Sequence, residues 1–406
     1  MDTLLDRFLR YVSYDTQSNP DAATTPSTSG QLLFLHHLAD ELQAMGWRPD
    51  LQRQQCLCLH IPANNGKNSP AIGFLAHVDT ATEVSGANIR PQVIEKYAGN
   101  DIVLNAGEKI VLRTADFPHL TRYTDQTLIT TDGTTLLGAD DKAGVSILME
   151  LAQHLSLHPE IEHGDIHLAF TTDEETGRGA DNFDVVAFGA KYAYTIDGGP
   201  LGELEYENFN AALATLQVKG CNMHPGEAGK TFKNALHLLE EFNHYLPADQ
   251  RPETTENYQG FIMLSQINGT TGSATAKYLI RDHSSELFQA KKDFLHQTVH
   301  QLNQQHGDDT FQLHIVDQYY NMRSKIEEQI VVVDKAIAAI RKAGITPVIK
   351  PIRGGTDGAR LTFMGLPCPN LFTGGHNFHS IYEYIPLQSM HKALEVVLHI
   401  VENYNE

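Results

Sequence analysis

Residues 70–80 read PAIGFLAHVDT, an unbroken apolar run that ends on a histidine and an aspartate two positions apart. Continuous apolar sequence of this length suits a strand covered on both faces, the habit of parallel sheets. Outward from it the pattern alternates. GVSILMELAQHL (144–155) has helical apolar spacing, while GDIHLAFTTDEE (164–175) and KYAYTIDGG (191–199) read as strands. QIVVVDKAIAAIRKAG (329–344) reads as a helix, ITPVIKPI (345–352) and CPNLFTGG (368–375) as strands, and SMHKALEVVLHIVENY (389–404) as a helix. That rhythm predicts an α/β layer in which helices cover a mostly parallel sheet.

Between about Asn208 and Asn321 the order changes. AALATLQVKG reads as a strand and KTFKNALHLLEEFNHYL as a helix; GFIMLSQI and ATAKYLIRD form a strand pair around an Asn268-Gly269 turn signal; SELFQAKKDFLHQTVHQL and TFQLHIVDQ add a helix and a strand. The order βαββαβ is the split ferredoxin-like unit. The expectation is a discontinuous α/β domain, residues 1–208 and 321–406, with a ferredoxin-like domain inserted at 209–320. A chain of 406 residues exceeds the size at which one core stays efficient, which agrees with two domains.

Composition removes whole classes of function. The formal charge is −20 and no stretch concentrates Lys or Arg, so a phosphate backbone would be repelled; no nucleic acid partner is expected. No apolar run approaches the roughly 20 residues that span a bilayer, so no membrane partner is expected either. The start, MDTLLDRFLRYV, places Leu4, Leu5, Phe8, Leu9 and Val12 on one helical stripe and reads as a docked helix rather than a signal peptide. The four cysteines are few and scattered, which points to reduced thiols and a cytoplasmic location.

Metal-capable side chains follow the apolar strands at four places. His77 and Asp79, two apart, share one face, and an acceptor there can fix the tautomer of a ligand histidine. Glu174 and Glu175 are adjacent and diverge, so one carboxylate can bind a metal while the other moves protons. Asp197 closes a strand before two glycines. The last place, HNFHS, offers His376 and His379, and spacing does not choose between them. A fifth signal is Asp140-Asp141 at the mouth of a helix, where a cap accounts for one carboxylate and leaves the other to be explained. If Asp140 bridges two cations with its two oxygens, the other groups supply each ion with further ligands, at the carboxyl ends of strands where α/β sheets build their sites.

These residues, with RFLRYVSYDTQS, TLITTDGTTLLGADDKAG, YYNMRSKI and PIRGGTDGARLTFMGLPCPNLFTGG, resemble the co-catalytic zinc peptidases that include glutamate carboxypeptidase and aminoacylase, and the likeness covers nearly the whole chain. The resemblance implies two zinc ions per chain, with Asp140 bridging them, His77 and Asp197 completing one site, and Glu175 and His379 the other. It implies Glu174 as general base, Asp79 orienting His77, and a cis peptide after Asp140, which makes Asp141 a backbone requirement rather than a second ligand. It implies that the inserted domain is a lid, with His224 stabilising the oxyanion and Arg281 and Arg353 holding the polar ends of the peptide. The implied activity is removal of the N-terminal residue from short peptides with a free N-terminus, chiefly tripeptides; the alternative is a dipeptidase or N-acyl amino acid deacylase. Relatives often pair through the lid, so the resemblance leaves room for a homodimer. Two positions depart from the family pattern: Thr172 in place of proline and His376 in place of an aromatic residue. Part of the long segment 81–133 is expected to wall the cleft and limit peptide length.

Overall fold

A computed structural model describes residues 3–52, 55–224, 226, 229 and 232–404. The chain divides into two compact units: residues 1–206, 324–350 and 356–406 form the larger, and residues 207–323 with 351–355 the smaller.

In the larger unit the described residues form an eight-stranded sheet. Its middle is parallel: Ile166–Thr171, Ile72–His77, Tyr192–Gly198 and Asn370–Phe372 run side by side in one direction. All six residues of Ile72–His77 are buried, which is why that stretch has no polar alternation. On one side lie the antiparallel strands Cys56–Ile61 and Asp50–Gln52; on the other Glu203–Glu205 pairs antiparallel with Asn370–Phe372 and parallel with Val348–Ile349. The sheet is therefore mixed, and the run 345–352 contributes only two residues to it.

Helix Ala139–Leu157 crosses the sheet against Ile72–His77 and Tyr192–Gly198, and it carries Leu4–Val12 on its outer side. The approach is close because of Gly144, where a Cβ would lie 2.0 Å from the carbonyl oxygen of Ile196. The N-terminal helix starts at a capping box: Asp6 N–H donates to Thr3 Oγ1 at 3.2 Å and Thr3 N–H to Asp6 Oδ2 at 3.0 Å. Its buried Leu4, Phe8 and Val12 join Ile129, Leu136, Leu137, Ala143 and Met390 in one core cluster. Full burial of side chains of this size is worth roughly 1.5–3 kcal/mol each.

Much of segment 81–133 is local structure rather than loop. It includes the paired strands Ile102–Asn105 and Ile110–Leu112, and Gln92–Ile94 and Leu128–Thr130 join Tyr384–Pro386 in an antiparallel three-stranded sheet. That sheet ties the segment to the C-terminal loop bearing His379.

The smaller unit has the order βαββαβ: Asn210–Lys219, helix Ala235–Tyr245, Phe261–Gly269, Ser273–Asp282, helix Ser285–His306 and Phe311–Tyr319. All pairings are antiparallel, with Asn210–Lys219 between Ser273–Asp282 and Phe311–Tyr319 and with Phe261–Gly269 outside Ser273–Asp282. Leu216, Phe242, Tyr278, Ile280, Leu295 and Phe311 anchor its core. The hairpin turn falls after Gly269, which still pairs with Ala274; Thr270 N–H donates to Ser273 O at 2.7 Å, so the Asn268-Gly269 signal was placed too early.

The units divide at 206/207 and 323/324, within three residues of the expected 208/209 and 320/321, and the expected unbroken 321–406 is interrupted. Residues 351–355 belong to the smaller unit because Ile352 N–H donates to Glu207 O at 2.8 Å and Arg353 is anchored there. The Arg353 guanidinium donates to the carbonyls of Asn257 at 2.7 Å and Gln259 at 3.0 Å, and lies 5.2 Å from the ring of Phe209 and 5.8 Å from that of Phe261. Nothing in the local apolar pattern of 345–352 reports those partners.

Candidate metal centre

Asp140 faces two histidines with different oxygens. Its Oδ1 lies 2.9 Å from His77 Nε2 and its Oδ2 lies 3.1 Å from His379 Nε2. Asp197 Oδ1 is 3.4 Å from His77 Nε2, and Glu175 Oε2 is 3.1 Å from His379 Nε2. The five metal-ligand candidates of the larger unit thus meet in one cluster of two halves, His77 with Asp197 and His379 with Glu175, joined by Asp140.

The fold delivers each member separately. His77 ends one central strand, Glu174 and Glu175 follow the next in a short turn, and Asp197 sits near the end of a third. Asp140 enters at the start of helix Ala139–Leu157, where Asp140 and Asp141 depart from helical backbone and their peptide bond is cis. Glu383 holds this entry by accepting four backbone N–H groups: Leu137 at 2.6 Å, Gly138 at 2.9 Å, Ala139 at 2.7 Å and Asp140 at 3.1 Å. Asp141 is buried with its carboxylate accepting the N–H groups of His77 and Gly144, both at 3.1 Å. Asp141 therefore ties the helix start to the end of the His77 strand.

Asp79 is fully buried and does more than face His77, whose Nδ1 lies 3.3 Å from Asp79 Oδ1. Its Oδ1 accepts Glu174 N–H and its Oδ2 accepts Glu175 N–H, each at 3.1 Å, and the Ser18 hydroxyl also donates to it. Glu174 Oε1 in turn accepts the N–H of Asp357 at 3.3 Å. Asp357 is buried, takes a hydrogen bond from Thr171 Oγ1 at 3.0 Å, and lines a small pocket with His77, Glu174, Thr195 and Asp197.

His376 is not part of the cluster. It is buried, its Nε2 hydrogen-bonds with the Tyr123 hydroxyl at 2.6 Å, and its ring stacks against those of His119 at 4.7 Å and Tyr384 at 4.8 Å. Of the two histidines that spacing could not separate, His379 faces Asp140. His224, Arg281 and Arg353 all lie in the smaller unit. His224 is exposed, with Nδ1 accepting Gly226 N–H at 3.2 Å; Arg281 donates to Ile280 O at 3.0 Å and sits 5.4 Å from the Tyr319 ring; Arg353 is engaged as described above.

The electrostatics are those of crowded carboxylates. Burial, then the charge of Asp140, pushes Glu175 up to about 8, and burial raises Asp197 to about 6. Burial also raises Glu174 well above the ordinary carboxyl range and takes Asp357 to about 7. For Asp140 burial acts upward too, yet hydrogen bonds from His379 and His77 outweigh it and the net shift is downward. Burial alone would lower His379, but Asp140 and Glu175 take it up to about 12. Crowded buried carboxylates favour positive charge beside them, which divalent cations would supply. Glu175 Oε1 is buried without a hydrogen-bond partner among the described residues, as a ligand oxygen would be. Two imidazoles and three carboxylates form a donor set suited to zinc.

Much of this support escaped the sequence. Asp79 and Glu174 are 95 positions apart, and Glu383 and Ala139 are 244 apart. Asp357 did leave a signal, an acid opening a helix directly behind two glycines and a threonine in PIRGGTDG.

Among the described residues no helix is long and apolar enough to cross a membrane. The fold is that of a metallopeptidase: residues 131–403 match the model of peptidase family M20/M25/M40, and the chain belongs to that family. It is 51% identical over 406 residues to peptidase T of Desulfitobacterium hafniense (strain Y51), covering 100% of this chain and 99% of that protein. It is 50% identical over 401 residues to peptidase T of Parabacteroides distasonis, covering 98% of each. The solved aminopeptidase PepT of Bacillus cereus shares the fold with a TM-score of 0.77 at 21% identity, covering 99% of this chain and 98% of that one. A tripeptidase from Staphylococcus aureus does so with a TM-score of 0.78 at 20% identity, over 99% and 98% of the two chains. A dinuclear metal-binding peptidase of the M20 family from Bacillus subtilis aligns with a TM-score of 0.65 at 12% identity, over 98% and 96%.

Proposed function

We propose that this chain is a two-zinc aminopeptidase that removes the N-terminal residue of short peptides, chiefly tripeptides. One observation carries the metal part: the two oxygens of Asp140 face different histidines, each with its own second carboxylate. The substrate part rests on the full-length relatives named peptidase T.

Asp140 would bridge the ions, with His77 and Asp197 on one and His379 and Glu175 on the other. Zinc bound there would polarise the scissile carbonyl and lower the pKa of a water toward neutrality. Glu174 takes the proton of the attacking water on its carboxylate and returns it to the leaving amine. The N–H of Asp357 and the grip of Asp79 on the 174–175 backbone keep that carboxylate aimed. By resemblance, His224 would steady the oxyanion and Arg281 a polar end of the peptide, while Arg353 would exchange its carbonyl partners for the other. We further propose a cytoplasmic location, supported by four free cysteines, three of them buried, and a homodimer through the smaller unit, which would serve as a lid.

A length series of unblocked peptides, assayed with and without a chelator, tests this. The expected result is chelator-sensitive release of the first residue, fastest for tripeptides. Preferential cleavage of dipeptides would replace the reading with the dipeptidase alternative, and preferential cleavage of N-acetylated amino acids with the deacylase one.

A further inference from the structure

A histidine that gives one ring nitrogen to a metal needs an acceptor for the proton on the other, or its tautomer and ring plane are free to wander. His77 has one inside the protein: its Nδ1 lies 3.3 Å from Asp79 Oδ1 and 3.2 Å from Asp79 O, and Asp79 is 0% exposed. His379 turns Nε2 to Asp140 and Glu175; with zinc on Nε2 the ring proton would lie on Nδ1, and the carboxylate facing Nδ1 is Glu83, with Oε1 at 3.4 Å.

The two arrangements share a logic and differ in strength. The Glu83 side chain is 60% exposed and that of His379 is 36% exposed, against 2% for His77. At 3.4 Å the Glu83 contact is close in length to the 3.3 Å from His77 to Asp79 Oδ1, so exposure makes the difference: water competes for both Glu83 and His379. The loop beneath His379 adds to the contrast. His379 and Asn377 have φ of 60° and 56°, left-handed values that side-chain-bearing residues rarely adopt, while His77 sits on a regular buried strand. That loop is steadied by local bonds, Asn377 Nδ2 to Tyr382 O at 3.0 Å and Ser380 Oγ to Asn377 O at 2.7 Å.

We propose that Glu83 is the positioning residue for His379, as Asp79 is for His77, and that its exposure makes the His379–Glu175 half of the centre the more weakly held. The inference rests on the two-zinc reading above. It gives segment 81–133 a part in metal retention, separate from any part in limiting peptide length.

Zinc is titrated against a chromophoric chelator, with bound zinc counted independently, in wild type, Glu83→Gln, Glu83→Asp, His379→Ala and the double variant Glu83→Gln/His379→Ala. The wild type should hold two ions of unequal affinity, and His379→Ala should abolish the weaker. Glu83→Gln should weaken that ion alone by about tenfold, the low end for loss of a carboxylate behind a ligand histidine. Glu83→Asp should recover part of the loss, and Glu83→Gln should add nothing once His379 is gone. Two ions whose affinities ignore Glu83→Gln, or a loss at the tighter ion, overturn this inference alone. A single ion in the wild type overturns the two-zinc reading and this inference with it.

Discussion

The backbone N–H of Glu174 donates to Oδ1 of Asp79 at 3.1 Å, on the same carboxylate that faces the ring of His77. One buried acid therefore sets the direction of both a proposed ligand and the proposed base. Glu174→Gln keeps the backbone contact and the shape of the side chain, so both metals should stay while the rate falls at least about a hundredfold. Asp79→Asn leaves one oxygen to accept what two accept now, so zinc affinity should fall roughly 10–100-fold along with the rate. Zinc content measured beside kcat separates the two variants, and normal activity in Glu174→Gln would remove it from the mechanism.

Glu383 is the acceptor for four consecutive N–H groups where the chain enters helix Ala139–Leu157. A Gln there offers one accepting oxygen and turns an N–H₂ toward the others. Leaving two buried donors unmatched should cost about 2–4 kcal/mol. The check is chemical denaturation of the zinc-free protein. Unchanged stability would mean that the loop finds other acceptors.

Gly144 lets helix Ala139–Leu157 approach the strand carrying Asp197, and a Cβ there would sit 2.0 Å from Ile196 O. Gly144→Ala should gain helix propensity yet lose overall, by about 1–3 kcal/mol from overpacking. Because Asp140 and Asp197 ride on the two elements forced apart, zinc should bind more weakly as well. Thermal melts with and without zinc test both parts; a variant more stable than wild type would contradict the packing argument.

Burial, then the nearby His119, lowers His376 from the usual 6.5 to about 3. In the unfolded chain this histidine takes its proton as pH falls through 6.5, whereas in the folded protein it stays neutral until about 3. Between those values the unfolded state binds more protons, so stability declines with falling pH in that window and is whole above it. His376→Phe removes the titrating group and should flatten the decline. At pH 8 it should be less stable by about 1 kcal/mol, because the Tyr123 hydroxyl loses its hydrogen-bond partner. Denaturation midpoints of the zinc-free proteins from pH 8 to about 4 compare the two slopes; parallel slopes would place the acid sensitivity elsewhere.

Sequence alone was enough for the architecture wherever burial leaves a periodic trace. The apolar run 72–77, the stripe of the first helix and the order βαββαβ each record what one element needs from its surroundings. It also brought out the candidate site residues, since His77, Asp140, Glu174, Glu175, Asp197 and His379 stand at the ends of such elements. Residue spacing did not separate His376 from His379, a choice that came from the family resemblance, and the sequence could not assign 351–355 to the smaller unit or find Asp79 beneath Glu174, Glu383 beneath Asp140 and Glu83 beside His379. Those are contacts between residues far apart in the chain. Periodicity reports the environment of a residue averaged over a face, whereas a hydrogen bond depends on where one atom of a distant segment comes to rest, and only the packed chain decides that.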